Sequence, residues 1–164
     1  MPARVRVRGG LWRRVFKLVS AEYADIESEA LYVDMLAMDM VRRPERYRVI
    51  VTGNLFGDIL SDLGSALVGG LGLTASGNIH PGRVSLFEPV HGSAPDIAGK
   101  GIANPVGQIW SGALMLEFLG YKEAGEGIVA AIERVLADKG SPRTPDLGGK
   151  ASTTDLAKAI ADAL

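Results

Sequence analysis

Short apolar runs alternate with stretches of helical period along this chain, and that alternation restricts it to a layered α/β architecture with a largely parallel sheet. Leu11 to Tyr23 carries apolar residues at Leu11, Trp12, Val15, Phe16, Leu18 and Val19, the spacing of an amphipathic helix. The run Ala30-Leu31-Tyr32-Val33 reads as a strand. Asp34 then caps a second helix through Met35, Met38 and Val41, which Pro44 stops. Tyr47 to Thr52 suits a buried parallel strand. Asn54 caps a helix that runs to Val68 and ends at Gly69-Gly70. Leu71 to Gly82 is rich in Gly, Ser and Asn and reads as a loop, and Val84 to Phe87 as a strand. Three helices close the chain, Pro105 to Leu119, Lys122 to Lys139 and Thr153 to Leu164.

Between them lies Glu88 to Asn104, a long polar segment with Pro and Gly at intervals. Loops of that length without structure of their own are usually functional. The 164 residues suffice for one compact domain with a core. A net charge of −1 gives no bulk attraction to nucleic acid or an anionic membrane. The absence of cysteine excludes a disulfide framework, a thiolate metal site and a cysteine nucleophile. No run approaches the roughly 18 apolar residues of a membrane span. Arg4, Arg6, Arg8, Arg13 and Arg14 crowd the start without acidic partners. They read as the frayed beginning of a truncated chain. A basic nucleic-acid-binding tail is the weaker alternative, because no aromatic residues interleave with them for stacking on bases.

Asp58 and Asp62 lie four apart in the segment NLFGDILSD, one turn apart on a single helical face. Like charges so placed repel by a few tenths of a kcal/mol. A hard cation such as Mg²⁺ or Mn²⁺ would remove the conflict, since both favour carboxylate oxygens. A solvated acidic face is the plainer reading of the spacing alone. His80 and His91 have no partners whose spacing indicates a triad, and no Walker loop or G-x-G-x-x-G occurs.

The stretches Asn54 to Asp62 (NLFGDILSD) and Phe87 to Pro105 (FEPVHGSAPDIAGKGIANP) closely resemble the isopropylmalate/isocitrate dehydrogenase family of decarboxylating β-hydroxyacid dehydrogenases. Ala75 to Ile79 and Asn104 to Trp110 look most similar to the tartrate/D-malate dehydrogenase branch, with isopropylmalate dehydrogenase as runner-up. The resemblance implies the carboxyl-terminal half of that family's fold. Residues 1–70 would belong to a metal-binding and dimerisation domain, and 71–164 to a dinucleotide-binding domain. It also implies a cytoplasmic homodimer acting on a small 2-hydroxy acid. Family enzymes bind Mg²⁺ or Mn²⁺ through two aspartates that match Asp58 and Asp62. A third, matching Asp34 in the Y-V-D motif, comes from the partner subunit.

By the same resemblance the long loop holds NAD. His91, Gly92, Ala94, Asp96 and Asn104 match positions around the adenosine part, and Glu88 matches one near the nicotinamide. Asp96 can accept from both ribose hydroxyls, and its charge would oppose a 2′-phosphate, which favours NAD over NADP. Family members are about twice as long. Their catalytic lysine lies in a K-x-N motif where this chain reads Met1-Pro2-Ala3-Arg4-Val5, and the first lysine here is Lys17. Neither that lysine nor the family's catalytic tyrosine is expected in this chain. A fragment inactive alone is therefore expected. A non-catalytic oligomerisation or ligand-binding module is the alternative of a different class.

Overall fold

The computed structural model describes residues 3–164, and the arginine-rich stretch Arg4 to Arg14, expected to be frayed, is helical in it. The chain forms two compact units, Met1–Ile50 and Val51–Leu164. In the first, α1 (Ala3–Glu22) and α2 (Val33–Arg42) are followed by a 3₁₀ turn at Pro44–Arg46. α1 begins well before the expected Leu11. The Arg13 guanidinium, midway along α1, lies 5.1 Å from the ring centroid of Tyr32, the N-cap residue of α2.

A buried carboxylate organises the rest of this unit. Asp39 of α2 is 7% exposed, and four donors reach it. Arg43 donates through Nε at 2.9 Å and through Nη2, Arg46 through Nη1 at 3.1 Å, and the Tyr47 hydroxyl at 2.5 Å. Arg46 also donates to Glu29 at 2.5 Å, which ties in the irregular segment before α2. The Tyr47 hydroxyl and then the Arg43 guanidinium stabilise the charged form, and hold the Asp39 carboxyl at about 2. The same bond raises the Tyr47 phenol above its ordinary value, because the ionised phenolate could no longer donate.

The second unit holds α3 (Asn54–Leu67), β1 (Ala75–Asn78), β2 (Leu86–Pro89), α4 (Val106–Phe118), α5 (Lys122–Ala137) and α6 (Thr153–Asp162). The glycines Gly69 and Gly70, both at φ +116°, stop α3 as expected. Its core is the contact of α4, α5 and α6 through Val106, Ala131, Ile132, Val135, Leu156 and Ile160. α4 packs also on both strands, where the Phe118 ring sits 5.6 Å from that of Phe87. This approach needs a glycine at the start of α4: a Cβ on Gly107 would stand 3.1 Å from the carbonyl oxygens of Gly72 and Thr74. α6 opens on a capping box, in which Ser152 Oγ accepts the Asp155 N–H and the Asp155 carboxylate accepts the Ser152 N–H.

The sheet differs from the expected one. Among the described residues it has two antiparallel strands, with Ala75 opposite Pro89 and Asn78 opposite Leu86. β1 falls inside the stretch expected to be a loop, and β2 starts two residues beyond Val84, which is 95% exposed. The runs at Ala30–Val33 and Tyr47–Thr52 are not strands here. Val33 opens α2 instead, and Val49 and Val51 stand exposed without ladder partners. A strand requires a paired neighbour, and an apolar run alone does not supply one.

Candidate metal and cofactor site

α3 turns its two aspartates outward. Asp58 and Asp62 are both exposed, while Leu60, roughly 200° away around a 3.6-residue turn, is buried. Asn54 does not cap this helix. Gly53 occupies the N-cap position, and Asn54 is already the first helical residue. Its side chain therefore points along the helix, and Nδ2 donates to Asp58 Oδ2 at 3.1 Å. Among the described residues no lysine or arginine pairs with either aspartate. The face thus offers two carboxylates without a cation, a hard-oxygen donor set suited to Mg²⁺ or Mn²⁺.

Asp34 is likewise exposed, but it is not the cap of α2. Tyr32 holds that place with no side-chain cap bond, and Asp34 is the second helical residue, its Oδ1 accepting the Met35 N–H at 2.9 Å. Asp34 belongs to the first compact unit, and Asp58 and Asp62 to the second. Among the described residues no three acidic or histidine side chains gather into a metal-binding cluster.

The expected cofactor residues run from β2 into the following loop. Glu88 is exposed on β2, opposite Ser76. The Val90 N–H donates to the Thr74 carbonyl at 3.0 Å, which carries the pairing one step beyond the strand. The loop then turns on itself. His91 lies with Nδ1 3.0 Å from the Gly92 carbonyl oxygen, and forms no bond with Asp96. Ala94 has φ +41°, the one left-handed residue other than glycine among those described, and its carbonyl accepts the Ile97 N–H at 3.1 Å. An L side chain in that region costs of order 1–2 kcal/mol. Gly92 and Asp96 are exposed on either side of it, and a Cβ on Gly92 would meet nothing within 4 Å.

Asn104 is the buried member of the set. Its side chain bonds to Val106 and to Asp146, and nearby the Thr153 hydroxyl donates to the Ala103 carbonyl at 2.6 Å. The Thr153 N–H donates to the Gly101 carbonyl at 2.8 Å. The far end of the loop is thereby pinned to the start of α6 and to the 3₁₀ turn at Pro145–Leu147. The sequence reading missed Asp146 and Thr153, which no local spacing connects to the loop. The arrangement suits a dinucleotide: an exposed turn with an outward carboxylate, anchored by a buried amide with hydrogen-bonding capacity left over.

Comparison with known proteins agrees with the motifs. The family model described as isocitrate/isopropylmalate dehydrogenase matches residues 3–160. An isocitrate/homoisocitrate dehydrogenase of Thermus thermophilus is 54% identical over 155 residues, covering 94% of this chain and 46% of the relative. A decarboxylating D-malate dehydrogenase of Escherichia coli is 49% identical over 156 residues, covering 91% and 43%. The crystal structure of isocitrate dehydrogenase from Methylococcus capsulatus superposes with a TM-score of 0.90 at 49% identity, over 94% of this chain and 45% of that one. The chain thus spans less than half the length of the relatives it matches. It belongs to the isocitrate/isopropylmalate dehydrogenase family.

Proposed function

We propose that this chain carries the metal ligands and the adenosine-binding loop of an NAD-dependent oxidative decarboxylase of 2-hydroxy dicarboxylic acids, of the tartrate/D-malate type. The observation that carries the reading is the exposed Asp58–Asp62 pair on α3, with no basic partner among the described residues. Asp58 and Asp62 would hold Mg²⁺ or Mn²⁺ together with Asp34 of a second copy. A divalent cation there supplies charge that offsets the negative charge developing on substrate oxygens during decarboxylation. NAD, held by the loop that follows β2, would supply a hydride acceptor.

The chain's own residues bind and orient. Asp96 accepts from the ribose hydroxyls and disfavours a 2′-phosphate. His91, Gly92, Ala94 and Asn104 line the adenosine side, and Glu88 approaches the nicotinamide end. Residues 1–70 serve the metal-binding and dimerisation domain, and 71–164 the dinucleotide-binding domain. In the whole protein the runs Ala30–Val33 and Tyr47–Thr52 join a parallel sheet. The protein works as a cytoplasmic homodimer. The 164 residues by themselves are expected not to turn over, because the residues read here as functional bind metal and cofactor and none is assigned to move protons to and from substrate.

Fusing this chain to the part of the Escherichia coli D-malate dehydrogenase that the match leaves uncovered tests the reading. The assay follows reduced nicotinamide with D-malate, tartrate and 3-isopropylmalate. Turnover on D-malate or tartrate that requires Mn²⁺ and disappears in Asp62→Asn is expected. Turnover on 3-isopropylmalate alone, or a folded fusion that binds NAD⁺ and oxidises none of the three, overturns it.

A further inference from the structure

The buried end of the cofactor loop is oriented by a residue far along the chain. Asn104 is 8% exposed, and its amide is engaged on both sides. Oδ1 accepts the Val106 N–H at 3.0 Å, and Nδ2 donates to Asp146 Oδ2 at 2.9 Å. A backbone N–H can only donate and an ionised carboxylate can only accept. The two partners therefore permit one orientation of the amide and oppose the flipped one. Flipped, the amide NH₂ would face an N–H, and its carbonyl oxygen would face a carboxylate. Among the described residues one N–H and one oxygen lone pair of Asn104 remain uncommitted, and these are the two functions with which an amide recognises an adenine edge.

A second observation marks the same pair. A Cβ on Gly72 would stand 2.9 Å from both Asn104 Cβ and Asp146 Oδ2. Gly72 is not in the left-handed region, so its backbone conformation would accept alanine. What the position requires is space, and the space is taken by the Asn104–Asp146 contact.

We infer that Asp146 is a positioning residue for the dinucleotide: its carboxylate fixes the Asn104 amide so that the remaining donor and acceptor are preset for adenine. Asp146 acts through Asn104 and need not touch the ligand. The inference rests on the reading of residues 88–104 as the NAD loop.

The test uses the 164-residue chain with Asp146→Ala, Asp146→Asn and Gly72→Ala, reading two quantities. Hydrogen exchange of the Val106 amide without ligand reports whether the Asn104 oxygen still faces it. Calorimetric titration with NAD⁺ reports affinity. Asp146→Ala should raise Val106 exchange and weaken NAD⁺ binding, each by about tenfold, the scale of one hydrogen bond to a charged group. Asp146→Asn keeps an acceptor oxygen and should stay within about twofold of wild type. Gly72→Ala should follow Asp146→Ala, because it separates the pair without deleting either partner. Equal binding by wild type and Asp146→Ala overturns the inference, as does a loss in Asp146→Asn equal to that in Asp146→Ala. If Val106 exchange responds but wild type binds no NAD⁺, the cofactor reading fails and this inference falls with it.

Discussion

The Tyr47 hydroxyl donates to Asp39 Oδ2 at 2.5 Å across eight residues of sequence, joining the end of the Pro44–Arg46 turn to the buried side of α2. This bond sets the pH behaviour of the first compact unit. The Asp39 carboxyl lies at about 2 in the folded chain against 3.8 ordinarily, so its contribution to stability is fully present above about pH 4 and is lost as pH falls through about 2. The Tyr47 phenol is raised above its ordinary 10. Its contribution is present below pH 10 and is lost as pH rises through the raised value. Tyr47→Phe should therefore move the acid loss to higher pH and remove the alkaline limb. Hydrogen exchange of the α2 amides against pH measures both. An unchanged acid limb in the variant would contradict the assignment.

The second unit depends on α6 for its core. Leu156 is fully buried, and truncation to alanine should cost about 2–5 kcal/mol. Ser152→Ala, which removes one half of the capping box, should cost about 1 kcal/mol. Urea unfolding of the two variants should rank them in that order. A Ser152→Ala cost equal to that of Leu156→Ala would mean that the anchoring of the loop, and not helix capping, dominates at this position.

The exposed apolar faces lead to a third expectation. Met35, Met38 and Val41 on α2, and Leu55 and Ile59 on α3, are each more than half exposed. Faces of this kind mark interfaces. The chain should sediment as a symmetric dimer at micromolar concentration, and Met38→Glu or Ile59→Glu should return it to monomer. A wild-type monomer would remove the proposed route by which Asp34 of one copy reaches the aspartates of another.

The sequence made the long helices legible, since their period is a local property. The last three were expected at Pro105–Leu119, Lys122–Lys139 and Thr153–Leu164, and occur at Val106–Phe118, Lys122–Ala137 and Thr153–Asp162. β1 was not legible. Its sequence, Ala-Ser-Gly-Asn, looks like a loop, and Gly77 is small because the Phe87 ring packs where a side chain would go. The apolar run at Tyr47–Thr52 forms no strand among the described residues, where no neighbouring strand pairs with it. Spacing disclosed the Asp58–Asp62 pair, while its meaning came from the surrounding motif. The Asn104–Asp146 bond joins positions 42 residues apart, and Asp39 collects Arg46 and Tyr47 from beyond the end of α2, where helical periodicity does not reach.

The account stands on the α3 carboxylates as a cation site, and calorimetric titration of Mn²⁺ into the 164-residue chain tests that directly. Asp58 already accepts one hydrogen bond from Asn54, and among the described residues no side chain donates to its other oxygen or to Asp62, which leaves these oxygens for a hard cation. Asp58→Asn removes the charge and keeps the shape. Wild type should bind Mn²⁺ at least about tenfold more tightly than Asp58→Asn, as expected when one of few charged ligands is lost. Equal binding at millimolar strength or weaker in both would contradict the account and reduce the pair to an acidic surface.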